Sequence, residues 1–248
     1  PEPYRIWEYY NQKCSLAQAY DIAINNKGIR DLPKPTIRLS KEELLMARQM
    51  ITEVKEKTGK DKIVVVQPFG RGAQPEKITE KQMEKGKQPD ISDVTGRSIE
   101  LKNLWSIVRK LSKKYGVMMM SEFPLEFKNH MSAPVATPMN VHIRIWMALI
   151  KQTNHFVGCD SVGQHLAYAF DKTATVIIGS TYPINTSFPD AENIDIIDLG
   201  SEDRVYSPIR ITSDEFSDRL NEGIMAMEDQ TEDKVVKSVE KMLKQSKN

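Results

Sequence analysis

Residues 157–170, VGCDSVGQHLAYAF, combine side chains that can bind an anion at the start of a helix. Asp160 or Ser161 can cap a helix that follows a short apolar strand, and the next backbone N–H groups would then point at a phosphate. His165 lies about one turn further along and could donate a hydrogen bond to the same group. The residues also fit a capped helix carrying a satisfied histidine, which is the commoner case without further context.

Two arginines are candidate cations for the same ligand. Arg97 precedes a predicted helix, and a guanidinium there could hold a diphosphate in a bidentate manner. Arg71 stands between Gly70 and Gly72, and glycine lets the backbone approach a ligand closely. A solvated surface arginine and a flexible loop are the respective alternatives.

Several other chemistries lack their sequence motifs. The chain contains no P-loop, no G-x-G-x-x-G after its first strand, no G-x-S-x-G and no H-E-x-x-H. The four histidines are scattered, so we expect no metal site. The two cysteines provide neither a disulfide framework nor a zinc cluster, which favours a reducing compartment.

Alternating β-strands and α-helices should position these residues. Unbroken apolar runs suit strands that are covered on both faces, and strand–helix alternation predicts parallel strands. Ligands bind beyond the carboxyl ends of such strands, where small and polar residues follow each run here. The predicted fold class is α/β, a Rossmann-like parallel sheet with flanking helices and a helical C-terminal tail. The predicted strands are residues 62–67, 117–120, 155–160, 173–179 and 193–199.

The helical patterns carry start and stop signals. Ser40 and Glu43 form a capping box that opens one helix. A second amphipathic helix begins near Ser98, and we expect Gly116 to close it. Further helices are predicted before and after the strand that ends at Asp160, because apolar residues recur there at helical spacing.

Two parts of the chain stand apart from this alternation. Residues 71–93 are polar and show no apolar period, so they are predicted to be a long excursion that is partly disordered. The tail contains two more helical patterns, at residues 213–227 and 232–244. We therefore predict three units: residues 1–60, 61–200 and 201–248.

Composition narrows the classes of partner. Lys and Arg total 35 against 34 for Asp and Glu, a net charge of +1, whereas proteins that bind nucleic acid usually show a basic excess. No apolar run reaches the roughly 18 residues of a membrane span, so the membrane association that we expect is at most a peripheral contact. The first residue is Pro1, and we expect a preceding domain to be absent from this sequence.

From Lys62 to about Pro189 the order of motifs resembles the carboxyl-terminal half of a GT-B glycosyltransferase. It is most similar to glycosyltransferase family 9, the ADP-heptose–lipopolysaccharide heptosyltransferases and their relatives. Residues 160–167, DSVGQHLA, are similar to the family's Asp-(Ser/Thr)-Gly-x-x-His before a small apolar helix. Residues 175–183, TVIIGSTYP, are similar to its strand ending in Gly-Pro-Thr-(Asp)-Pro. The sequence departs from the family where Val162 replaces a glycine.

The resemblance implies a role for individual residues. Asp160, Ser161 and His165 would face the diphosphate and the sugar, and Arg97 would stand where the family has a lysine that pairs with the diphosphate. Gln67 replaces the family's histidine in the turn after the first strand. The resemblance also implies a ribose contact by Glu122, a base contact by Met139, and donor-binding positions at Gly70, Arg71 and Thr181.

The resemblance implies a glycosyltransferase that moves a sugar from a nucleotide-diphosphate donor to a carbohydrate or lipid-linked acceptor. This chain would supply the donor-binding half, with no metal and no cofactor beyond the nucleotide sugar. Residues 1–60 would be the end of an amino-terminal domain, and the catalytic residue stays unassigned. The expected location is cytoplasmic. A non-catalytic GT-B-like binding or assembly module and, less favoured, a sugar-nucleotide epimerase are the alternatives.

Overall fold

The computed structural model describes a sheet-centred fold. Its described residues are 2–76, 90–93, 95–125, 127, 131, 133–205, 221 and 223–245. The helices, after a 3-10 helix at Pro3–Arg5, are α1 (Trp7–Tyr10), α2 (Leu16–Asn25), α3 (Lys41–Thr58), α4 (Leu101–Ser112), α5 (Ile143–Gln152), α6 (Val162–Ala169), α7 (Pro183–Thr186) and α8 (Asp229–Gln245). The strands are β1 (Ile63–Gln67), β2 (Ala73–Pro75), β3 (Ile91–Asp93), β4 (Gly116–Met119), β5 (Val135–Ala136), β6 (His155–Cys159), β7 (Ala174–Ile178) and β8 (Ile194–Asp198).

Six strands form one parallel sheet in the order β5-β4-β1-β6-β7-β8. Val65 at the centre of β1 pairs with Met118 of β4 on one side and with Phe156 of β6 on the other. The chain builds outward from β1 in one direction, then returns to β6 and builds outward in the other. This is the strand order of the Rossmann fold, so the predicted fold class is confirmed.

Helices cover both faces of the sheet. Successive β1 residues point to opposite faces, as a strand requires: Val64 and Val66 pack with α4 and α8, and Ile63 and Val65 pack with α3, α5 and α6. The whole of β1 is buried, which explains its unbroken apolar sequence. The predicted division at residues 60 and 200 stays a prediction.

Two predicted helices carry the expected signals. The hydroxyl of Ser40 accepts from the backbone N–H of Glu43, and the Glu43 carboxylate accepts from that of Ser40. Glu43 also pairs with Arg144 at 2.7 Å, which joins α3 to α5. In α8, Val235 and Val239 are fully buried against the sheet. The predicted capping box of α3 and the predicted buried face of α8 are thereby confirmed.

The predicted bounds of the second helix were wrong. The α4 helix begins at Leu101 because the N–H of Ile99 still bonds the carbonyl of Pro68 beside the sheet. Gly116 begins β4 and does not close the helix. A Cβ at Gly116 would lie 2.5 Å from Cδ1 of Ile63, so this glycine is explained by close packing.

The polar excursion contains regular structure at its base. Strands β2 and β3 pair antiparallel, with Pro75 opposite Ile91, and neither strand was predicted. Three-residue strands are too short to show an alternating pattern. Residues 77–89 lie outside the described residues. The two-residue strand β5 was not predicted for the same reason as β2 and β3.

The first tail helix falls largely outside the described residues, which omit 206–220 and 222. The described part, residues 221 and 223–227, contains turns and no helix, so the predicted helix is wrong there. Gly223 has a φ of 77°, and the N–H of Ala226 bonds its carbonyl. Met225 and Met227 nevertheless bury their side chains in the core. Among the described residues, no helix has the length and apolar character needed to cross a bilayer.

Candidate functional site

A cavity of about 890 Å³ opens beyond the carboxyl ends of β1 and β6. The strand order reverses between these two strands, and ligands of open α/β sheets bind at such a reversal. The structure brings all nine residues that were predicted to bind the donor into the lining of this cavity. They are Gly70, Arg71, Arg97, Glu122, Met139, Asp160, Ser161, His165 and Thr181.

Asp160 is a buried carboxylate in the cavity wall, with 5% of its surface exposed. Its Oδ1 accepts from Nε2 of Gln164 at 2.6 Å, and its Oδ2 accepts from the hydroxyl of Thr181 at 2.9 Å. Each oxygen of an ionised carboxylate can accept a second hydrogen bond. Asp160 therefore has the capacity to accept from hydroxyl groups of a ligand.

The start of α6 is capped from a different strand. Ser161 occupies the N-cap position, but its side chain bonds no N–H of the helix. Oε1 of Gln67, at the end of β1, accepts instead from the N–H of Gly163 at 2.8 Å. The predicted capping by Asp160 or Ser161 was therefore wrong, because Gln67 reaches across the sheet to the same N–H.

His165 lies on α6 with its imidazole facing the cavity, edge-on to the ring of Phe188 at 5.5 Å. Phe188 in turn stacks on Tyr168 at 3.8 Å. The surrounding protein disfavours the charged ring and lowers the pKa of His165, while the negative charge of Asp160 acts in the opposite direction. The imidazole is thus mainly neutral near pH 7, ready to gain a proton beside an anion.

Asp93 organises the loop that carries Arg97. One carboxylate oxygen accepts from the N–H of Thr95 at 2.8 Å and from its hydroxyl at 2.5 Å. The other accepts from the N–H of Ser98 at 3.1 Å and from its hydroxyl. The Ser98 oxygen also accepts from the N–H of Gly70 at 2.9 Å, so this loop is fixed to the turn after β1.

Arg97 is a half-buried cation in the cavity wall. Its Nε donates to the hydroxyl of Thr95 at 3.2 Å. Within the part of the chain that the structure describes, no carboxylate lies within ion-pair distance of Arg97. The guanidinium therefore keeps most of its donors for an anion in the cavity.

The outer wall is less constrained. Arg71, Glu122 and Met139 are exposed side chains on three different loops. They line the same cavity, but none of the three forms a hydrogen bond with another described residue. Trp146 and Ile143 of α5 lie in the wall together with Met139. The part of this wall formed by Met139, Ile143 and Trp146 is therefore apolar, and Arg71 and Glu122 are its charged groups.

The amino-terminal segment supplies a wall that was not predicted. Tyr4, Tyr9 and Leu16 line the cavity. The side-chain amide of Asn185 donates to the carbonyl of Tyr9 at 3.1 Å and to that of Cys14 at 2.8 Å. These bonds use backbone oxygens, so the spacing of side chains gives no signal for them. The aromatic residues within residues 4–10 are the one feature of the sequence that could have indicated this wall.

The fold of this chain is similar to that of solved glycosyltransferases with GT-B-type folds. The chain is similar to the solved glycosyl transferase family 9 protein from Veillonella parvula DSM 2008, with a TM-score of 0.63 and 11% identity. It is also similar to E. coli ADP-heptose LPS heptosyltransferase II, with a TM-score of 0.56 and 15% identity. The match covers 94% of this chain in both cases.

The extent of these matches is limited in two ways. They cover 60% and 61% of the two solved chains, so this chain spans about three-fifths of their length. No protein-family model and no curated protein matches the sequence. At these identities the likeness is one of fold, and at that level it confirms the predicted resemblance.

Proposed function

We propose that this chain is the donor-binding half of a GT-B-type glycosyltransferase and binds a nucleotide-diphosphate sugar in the cavity. One observation carries this proposal. The residues predicted as donor ligands are spread along the sequence from Gly70 to Thr181, yet all line one cavity at the reversal of strand order. The two similar solved structures, both described as glycosyltransferases, support the same class of reaction.

The diphosphate would lie between Arg97 and the start of α6. Arg97 can donate two parallel hydrogen bonds to phosphate oxygens, and the amino-terminal end of a helix attracts negative charge. His165 would add a proton to the same region when an anion is present. These groups would also stabilise the nucleoside diphosphate as it leaves, because its negative charge develops beside them.

The sugar and the nucleoside would occupy opposite sides of this anion position. Asp160 can accept from sugar hydroxyls, since each of its oxygens keeps a free lone pair. Glu122, on the loop after β4, would accept hydrogen bonds from the ribose hydroxyls. The apolar wall formed by Met139, Ile143 and Trp146 would contact the base. Binding measurements with a panel of ligands would identify the sugar and the base.

The acceptor hydroxyl needs a base to take its proton. We leave that base unassigned: the carboxylates among the described lining residues are Asp160 and Glu122, and both have donor-binding roles in this scheme. The proposed acceptor is a carbohydrate or a lipid-linked saccharide, in a cytoplasmic setting. Donor binding without any transfer or hydrolysis would favour the alternative of a non-catalytic module.

Calorimetric titration with ADP, UDP, GDP and CDP tests the donor site. Arg97→Ala should weaken the best ligand about 10- to 100-fold, because a hydrogen bond to a charged group contributes about 1.5–3 kcal/mol. Arg109→Ala is the matched control, since Arg109 is exposed on α4 and is absent from the cavity lining. Equal effects of both variants, or no binding by the unaltered chain, would contradict the proposal.

A further inference from the structure

We propose that Gln67 is a positioning residue that holds the Ser161 hydroxyl as a hydrogen-bond donor to a phosphate oxygen. This role rests on the proposed function, because it assigns Ser161 to the anion within the same cavity. Gln67 itself is 7% exposed. It would act through Ser161, which lines the cavity at the N-cap position of α6.

The direction of the Gln67 amide is fixed by its partners. A backbone N–H can only donate, so the atom of Gln67 that faces Gly163 at 2.8 Å must be the oxygen. The amide NH₂ then faces Ser161, with Nε2 at 3.1 Å from the hydroxyl oxygen. The reverse orientation would place two donors against each other and leave both unsatisfied.

This arrangement sets the role of the Ser161 hydroxyl. Its oxygen accepts from Gln67, and a hydroxyl has one proton to donate. Among the described residues nothing accepts that proton, and Ser161 lines the cavity. A phosphate oxygen only accepts hydrogen bonds, so its chemistry is complementary to a hydroxyl held in this state.

A change from amide to carboxylate would reverse the arrangement at almost constant shape. In Gln67→Glu the carboxylate can still accept from the N–H of Gly163, but it can no longer donate to Ser161. The Ser161 proton would turn towards Glu, and the hydroxyl would present only lone pairs to the cavity. Phosphate would then meet an acceptor, together with an added negative charge, where the native chain offers a donor.

Inorganic pyrophosphate is a suitable probe because it tests the anion position without the base or the sugar. Ser161→Ala should weaken pyrophosphate binding roughly 10-fold, the order expected for a hydrogen bond to a charged group. Gln67→Glu should weaken it at least as much. Gln67→Met should weaken it in the native background and much less in the Ser161→Ala background, because its effect passes through the hydroxyl.

Two controls separate positioning from general damage. Gln49→Met changes an exposed glutamine of α3 and should leave pyrophosphate affinity unchanged. Urea unfolding of each variant shows whether it folds; if Gln67→Glu does not, Gln67→Met and Ser161→Ala still complete the cycle. Independent, multiplicative effects of these two changes would overturn the positioning role, as would undiminished pyrophosphate affinity in Ser161→Ala or no pyrophosphate binding by the unaltered chain.

The outcome for the proposed function is read separately. If Gln67 and Ser161 show coupled effects on pyrophosphate affinity but the chain binds no nucleoside diphosphate, the role of Gln67 is supported and the donor-site proposal is refuted. If nucleoside diphosphate binding depends on Arg97 but Gln67 and Ser161 show no coupling, the donor-site proposal is supported and the role of Gln67 is refuted.

Discussion

Replacing Gly163 by alanine should destabilise the chain, because the backbone of α6 lies directly on the sheet at this point. A Cβ there would lie 2.3 Å from the ring of Phe156 and 2.5 Å from Oε1 of Gln67. Phe156 is fully buried, and overpacking of this kind costs about 1–3 kcal/mol. Loss of the Gln67 hydrogen bond would add about 1 kcal/mol, and the better helix propensity of alanine would return about as much.

The net expectation for Gly163→Ala is therefore a fall of about 1–3 kcal/mol in the free energy of unfolding. Urea denaturation followed by circular dichroism measures it. Gly28→Ala is the control, because a Cβ at Gly28 would meet no atom within 4 Å, and its midpoint should barely move. If Gly163→Ala unfolds at the native midpoint or above it, α6 does not pack on Phe156 as described.

Three further predictions concern titratable groups. Burial alone would raise the pKa of Glu232, but hydrogen bonds from Ser106, Asn103 and the Lys110 ammonium lower it on balance. The stability that this carboxylate contributes is present above its ordinary pKa and is lost on acidification. Glu232→Ala should lower the free energy of unfolding by about 3 kcal/mol in urea at pH 7. Burial lowers the pKa of His155 from 6.5 to about 3, so below pH 6.5 the unfolded chain binds a proton that the native chain excludes. The free energy of unfolding should therefore fall by about 1.4 kcal/mol per pH unit below 6.5. The variant His155→Gln should flatten this slope. The pKa of His165 is lowered in the free protein, and a bound diphosphate should raise it, so calorimetric affinity should increase as the pH falls between these two pKa values; a pH profile that His165→Gln leaves unchanged would contradict this.

The sheet was predictable because its central strands are buried on both faces. The runs around Val65 and Val157 are apolar without alternation, and helical spacing between them dictates parallel crossovers. The convergence of polar residues at one edge follows from that geometry alone. Residues as distant in sequence as Gly70 and Thr181 are therefore expected at the same edge of the sheet, while their donor-binding role is implied by the family resemblance.

The cap of α6 could not be predicted from local sequence. Ser161 and Asp160 satisfy the pattern of an N-cap residue, but Gln67 is 96 positions from Gly163 and takes its N–H. A local rule describes which side chains can reach a helix start from within the same segment. It contains no information on a glutamine that arrives from the neighbouring strand of the sheet.

The β2–β3 hairpin and the Asp93 loop have a consequence for engineering. Pro75 is paired with Ile91, and the N–H of Glu76 bonds the carbonyl of Asp90 at 2.7 Å, so the chain leaves and re-enters this unit at adjacent points. The hydrogen bonds of Asp93 to Thr95 and Ser98 are made at the other end of β3 from that closure. A graft joined at Glu76 and Asp90, such as a fluorescent label or a shortened connector, should therefore leave Arg97 in place.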